Sequence, residues 1–348
     1  MLGIDAKVLR GAWTILVVLA ALALVYRLRS VLLLLVFSVV FAYVISPLVA
    51  LVERALPGRR RSLAIASVYL VLVAALSTVG ALLGPRLGRE LAALGARFPE
   101  MSAQIQSGKL VGNIFPHWRG AEFLDELVRS HLPQVLDYAQ YALSSALAWF
   151  GAAWVVVLVP IFAFFFLRDA ERIAEVATGL VGDAGRRQLS LDIVGDMHHL
   201  LGEYVRALIL LCVLTFGVWA AVFRVAGVPY ALVLAALGGA LEFLPVLGPV
   251  IAGIIAIAVA LFSGFAHTGL LALFILLWRL SQDYVTSPLV MGRGVELHPG
   301  LVIFGVLAGG EIGGPAGMFL SIPVLAGLRV VWRRLRDFRA DPGRRPPG

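Results

Sequence analysis

Six ionisable side chains interrupt the apolar runs of this 348-residue chain: Glu203, Arg206, Glu242, Arg279, Asp283 and Glu311. A charge at mid-bilayer costs roughly 2.5 kcal/mol or more, so each must be paired, reach an interface or line a polar pathway. Glu203 and Arg206 stand three residues apart near the start of an apolar run, which is the spacing of an interfacial ion pair. Arg279 and Asp283 are four apart, so one helical turn brings them together. Glu242 and Glu311 have no charged neighbour within a turn, and both sit among glycines and prolines. Irregular backbone at membrane depth survives only where it is packed in protein or lines a cavity. These two carboxylates are therefore the first candidates for a substrate or ion pathway.

Their surroundings repeat. "PYALVLAALGGALEFLPVLGP" begins at Pro229 and "PGLVIFGVLAGGEIGGPAGMFLSIP" at Pro299. Each runs from a proline through apolar residues to a Gly-Gly pair (Gly238–Gly239, Gly309–Gly310), then to an acid, then to a break, then to another apolar run. The expected breaks involve Pro245, Gly248 and Pro249 in the first copy, and Gly310, Gly313, Gly314, Pro315 and Pro323 in the second. Pro288 is expected to interrupt the helix that carries Asp283. Proline removes a backbone donor, and paired small residues permit close helix approach. Such a pair of Gly/Pro-interrupted hydrophobic segments points to a transporter binding site. The expected arrangement is a helix that breaks and resumes, or a hairpin that turns back. Glu242, Asp283 and Glu311 would line the pathway, and Arg279 would set its charge balance.

The elements that must hold these residues are membrane spans. Hydrophobic residues make up 60% of the chain and charged ones 14%, with mean hydropathy +0.93. A soluble domain carries about 25% charged residues. The expectation is an all-α integral membrane protein of about eight transmembrane helices, with broken or re-entrant C-terminal helices. Apolar segments fall at 11–26, 31–52, 62–84, 141–167, 203–225, 230–262, 266–290 and 299–331. Residues 85–140 and 168–200 mix charge with apolar residues at helical spacing and are expected to be amphipathic extramembrane helices. The organisation expected is N-terminal spans (1–84), an extramembrane helical region (85–140), a span with a cytoplasmic amphipathic segment (141–200), a C-terminal transport core (201–335) and a basic tail (336–348). Residues 1–26 are read as a retained first span rather than a cleaved signal.

With the N-terminus inside, seventeen Lys and Arg fall on the cytoplasmic side and ten outside. Both termini are therefore expected in the cytoplasm. Cytoplasmic loops also account for the net charge of +8, so nucleic acid is not an expected partner. The single Cys212 forms no intrachain disulfide. The six histidines show no metal-ligand spacing, and no GxxxxGK[ST] loop is present, so neither a metal nor ATP chemistry is expected. No cofactor is expected, and nothing marks an enzyme.

Three stretches carry a family resemblance: "EFLPVLGP" (242–249), "DYVTSPLVMGR" (283–293) followed by "VELHPG" (295–300), and "GGEIGGPAGMFLSIPV" (309–324). "FAYVISPLVALVER" (41–54) and "FFFLRDAERI" (164–173) fit with them. Together they resemble the autoinducer-2 exporter (AI-2E) family of bacterial membrane proteins, over most of the chain and in order. The patterned positions are Pro245, Gly248, Pro249, Asp283, Pro288, Pro299, Gly310, Gly313, Gly314, Gly317 and Pro323. The resemblance implies a multi-pass protein of the bacterial inner membrane that assembles as a homo-oligomer. It implies a secondary transporter exporting a small polar solute with the help of an ion gradient. A sodium/proton antiporter using the same carboxylates, and a membrane scaffold acting through 85–140, stand as the alternatives. The expected partners are thus the lipid bilayer, the solute, and protons or sodium.

Overall fold

The computed structural model describes residues 6–56, 61–107, 153–179, 184–286 and 298–340, with Glu126 and Ser130. The expectations for Pro288 and for most of 108–152 and the C-terminal tail lie outside these residues. The described chain is helical, with no strand. In order it forms α1 (Ala6–Arg27), α2 (Arg29–Ala55), α3 (Arg61–Ser107), α4 (Ala153–Gly179), α5 (Ala184–Ala226), α6 (Ala231–Leu241), α7 (Leu247–Phe262), α8 (Thr268–Ser281) and α9 (Pro299–Ala340). A π-helical turn, Gln282–Thr286, continues α8.

Among the described residues four stretches are long and apolar enough to cross a membrane: Ser30–Ala55, Arg61–Arg97, Gly185–Ala226 and Pro299–Ala340. Two of these helices correct the expected organisation. α3 has 47 residues, a length of about 70 Å at 1.5 Å per residue, more than twice a hydrocarbon core of about 30 Å. Residues 85–107 therefore continue a span rather than forming a separate amphipathic helix. Likewise, 184–200 is the first part of α5, which runs unbroken for 43 residues. The expected boundaries at 84/85 and 200/201 fall inside continuous helices, and the first of them runs through Gly84 and Pro85 without a break.

The two repeated segments form helical hairpins. α6 has eleven residues, about 16 Å, so it reaches only about halfway through a bilayer. The chain then turns through Glu242–Val246, with Val246 at φ 66, and returns as α7. The turn is tight enough that a Cβ on Gly248 would run into the Leu241 carbonyl. In α9 the helix is interrupted at Gly313 and Gly314, and Gly314 adopts φ 59, ψ −143, backbone open to glycine. The arms on either side lie back to back. Gly309 and Gly317 face each other so closely that a Cβ on either would strike the other's carbonyl, and Gly305 faces Leu325.

The breaks are narrower than the sequence pattern suggests. Pro245 lies in the first turn, and Pro315 directly follows the second. Gly238, Gly239, Gly248, Pro249, Gly310 and Pro323 all lie within helices instead. Proline in a first helical turn loses no intrahelical bond, which suits Pro249 and Pro315 at the starts of their arms.

α5 is the spine on which both hairpins rest. A Cβ on Gly238 would meet Trp219, and one on Gly239 would meet Phe216 and the carbonyl of Cys212. Further toward the start of α5, Phe319 lies 6.4 Å from Tyr204 between ring centroids, and Gly327 abuts Met197. The first hairpin thus covers the C-terminal half of α5 and the second covers the N-terminal half. Their ends meet where Phe243 lies 5.8 Å from Phe319. A second cluster binds α2, α3 and α4 through Ala42, Ile45, Ala64, Ile65 and Ala163. Small residues let these backbones approach where lipid offers no hydrophobic drive to associate.

Candidate functional site

Glu242 caps the C-terminal end of α6 at the tip of the first hairpin and is 7% exposed. Two buried polar side chains converge on it. Thr215, in the C-terminal half of α5, donates its hydroxyl to Glu242 Oε1 at 3.0 Å. Gln282, at the start of the π turn, donates Nε2 to the same oxygen at 2.9 Å and to Thr215 Oγ1 at 2.8 Å. Three polar groups on three elements thus close a triangle. A buried polar group without partners costs about 1–3 kcal/mol, and a charged one more, so this closure is what allows the carboxylate to sit there.

The π turn explains how Gln282 reaches inward. π-helical turns occur mostly as single-turn insertions and often at functional sites. Here the turn sends Gln282 into the core at 3% exposure, while Asp283 beside it points out to Arg279. That pair is two-pronged: Arg279 Nε donates to Asp283 Oδ2 at 3.1 Å, and Nη2 lies 2.8 Å from Oδ1. The i, i+4 spacing of the two residues makes the contact. Glu311 is placed differently. It is exposed on the first arm of α9, just before Gly313, and among the described residues no hydrogen bond or ion pair joins it to the Glu242 group.

The expected pairing of Glu203 with Arg206 does not form. Glu203 Oε2 lies 3.5 Å from His199 Nδ1, one turn earlier. The Arg206 guanidinium folds back over Gly202 toward Tyr43, as helical side chains pointing to the N-terminus do. Among the described residues no group of three His, Cys, Asp or Glu is placed to hold a metal.

Sequence reasoning missed Thr215 and Gln282. Each is a lone uncharged polar residue in an apolar run, and such residues are common there as helix-internal donors. Ser38, which donates to the Leu34 carbonyl at 2.7 Å, is one example. The usable signal was the adjacency of Gln282 to Asp283. It also missed Glu90, whose carboxylate on α3 receives two backbone N–H groups of α6.

Long apolar helices, two helical hairpins and a buried carboxylate among neutral partners fit an integral membrane protein with a transport role. The chain belongs to the AI-2E transporter family, whose model matches residues 14–337. It is similar to "Putative transport protein YueF" of Bacillus subtilis, 25% identical over 83% of this chain and 79% of that one. It is 28% identical to "Putative transport protein MT0215" of Mycobacterium tuberculosis over 92% and 88% of the two chains. "Putative permease PerM" of Escherichia coli shares 24% identity over 62% and 63%.

Proposed function

We propose that the chain is a secondary transporter that exports a small polar solute and couples its movement to an ion gradient through Glu242. The observation that carries this reading is the buried triangle of Glu242, Thr215 and Gln282 at the tip of a half-length hairpin. A carboxylate at such a depth is expensive unless it has work to do, and helix ends near the bilayer midplane are where transporters place their sites. The set suits a proton. With Glu242 ionised, the hydroxyl and the amide NH2 both donate to it. With Glu242 protonated, a half-turn of the Gln282 amide offers a carbonyl oxygen to accept the new proton. The site thus offers the carboxyl a hydrogen-bond partner in both states.

The solute is expected to pass where the two hairpin ends meet, at Phe243 and Phe319, with the Arg279–Asp283 pair beside them. Orientation follows the excess of Lys and Arg. The end carrying Asp196, Arg333 and Arg334 is cytoplasmic, and the end carrying Glu90 and the start of α6 faces out. In this reading the hairpins enter from opposite sides.

The test is flux of labelled solutes in proteoliposomes under imposed proton or sodium gradients, with the wild type and Glu242→Gln. Wild-type flux should respond to a proton gradient, and the variant should lose that response while still assembling. Coupled flux retained in Glu242→Gln would remove the carboxylate from the mechanism. Sodium movement against protons with no organic solute would favour the antiport reading instead.

A further inference from the structure

The start of α6 has no cap of its own. Tyr230, its N-cap residue, lies in the left-handed region (φ 56, ψ 35) and makes no side-chain capping bond, and the first turn of α6 holds no acid. The opening N–H groups of a helix have no intrahelical partner. Glu90 takes that place from another helix. Leu232 and Val233 both donate their backbone N–H to Glu90 Oε2 at 3.0 Å, across 142 residues of sequence in the case of Leu232. Leu94, one turn further along α3, packs on the cluster that includes Trp219, Phe223 and Leu234. The contact is therefore a docked interface. An anion at this end of a helix is also favoured by the backbone dipole.

We infer that Glu90 is the positioning residue of the first hairpin. α6 is eleven residues long, a stiff rod whose two ends move together. Glu90 fixes its first turn, and Glu242 leaves its last turn toward Thr215 and Gln282. The cap sets the height of α6 against α5 and so holds the carboxylate in register with its two donors. It also ties the part of α3 that continues beyond its span to the site, although Glu90 touches neither solute nor ion. The consequence for flux rests on the role proposed above for Glu242, whereas the register of α6 does not.

The experiment compares wild type, Glu90→Ala, Glu90→Gln and Glu242→Gln as full chains in nanodiscs. It reads amide exchange at Leu232 and Val233, with Ala256 and Ala260 in α7 as internal controls. A second readout is the native Cys212, whose carbonyl lies against Gly239 of α6, followed by its rate of modification with N-ethylmaleimide. Glu90→Ala should raise exchange at the two capped amides roughly tenfold or more, speed Cys212 modification and leave the α7 amides unchanged. Glu90→Gln keeps an acceptor oxygen and should stay near wild type in all three. Glu90→Asp, one methylene short, should raise exchange at the same two amides and replaces the alanine variant if that one does not assemble. Glu242→Gln should leave both capped amides protected, so failure of the transport reading would not disturb this result. Unchanged exchange in Glu90→Ala, an equal rise at the α7 amides, or a glutamine variant as exposed as the alanine one would each overturn the assignment.

Discussion

At the scale of single residues, Glu242 depends on neighbours that carry no charge. Thr215→Val removes the hydroxyl at nearly constant volume, leaving Glu242 Oε1 with one donor and Gln282 with one acceptor fewer. Stability should fall by about 1–3 kcal/mol, measured by thermal unfolding in detergent, with a larger loss in coupled flux than in assembly. An unchanged melting temperature would mean that water replaces the hydroxyl and that the site is wet. The glycines give a second contrast. Gly309→Ala drives a methyl into the Gly317 carbonyl, so it should cost about 1–3 kcal/mol or more. Gly84→Ala meets nothing within 4 Å and should be neutral in the same assay. Glu242 and the glycine pairs were legible in the sequence because a charge or a missing side chain is conspicuous in an apolar run. Thr215 and Gln282 were not, since one hydroxyl or amide in such a run has many local uses, and only the fold reveals which oxygen it faces.

At the scale of elements, the long helices act as levers whose far ends are tied by charge. Asp196, in the part of α5 that precedes its apolar span, receives Arg334 Nε and Nη2 at 2.8 Å each and Arg333 Nη2 at 3.3 Å. This ties α5 to the last turns of α9. The hydrogen bonds from Arg334, with its positive charge and that of Arg333, hold the Asp196 carboxyl below its ordinary range against partial desolvation. A lowered folded-state pKa means that the stabilisation is complete above the unfolded value of about 3.9. It is lost as pH falls through the folded value. Melting temperature should therefore show no pH dependence from this tie between pH 7 and about pH 5, where its contribution is fully present, and a fall below about pH 4. Asp196→Asn should melt lower at neutral pH and show a shallower acid fall, and parallel acid limbs in the two proteins would exclude the tie. The extent of these levers was poorly legible. Hydropathy marks where a helix meets lipid but not where it stops, so α3 and α5 were expected to end where their apolar character does. The hairpins were easier to anticipate, because Gly-Gly, acid and proline recur in the same order at both.

At the scale of the whole molecule, the hairpins change the path of the chain without changing where it ends. Eight crossing segments and six crossings plus two hairpins both leave the termini on one side, so locating the termini does not separate the two arrangements. The link between α7 and α8 does. If residues 231–262 crossed the membrane, Ala266 would lie on the side opposite the end of α5. If they turn back at Glu242–Val246, Ala266 lies on the same side as that end and as the Glu90 region of α3. The internal contacts favour the return, because Glu90 holds the start of α6 while Phe265 packs with Val228 and Leu271 in a single cluster. Joined to the excess of Lys and Arg on the N-terminal side, this predicts Ala266 on the outer side. In a background with Cys212 replaced, an impermeant maleimide applied to intact cells should label Ala266→Cys and Ser107→Cys, and should reach Ser190→Cys only after permeabilisation. Labelling of Ser107→Cys without Ala266→Cys would mean that the first hairpin crosses. Labelling of Ser190→Cys alone would invert the molecule, and the solute would then be offered to the hairpin of α6 and α7 from the cytoplasm.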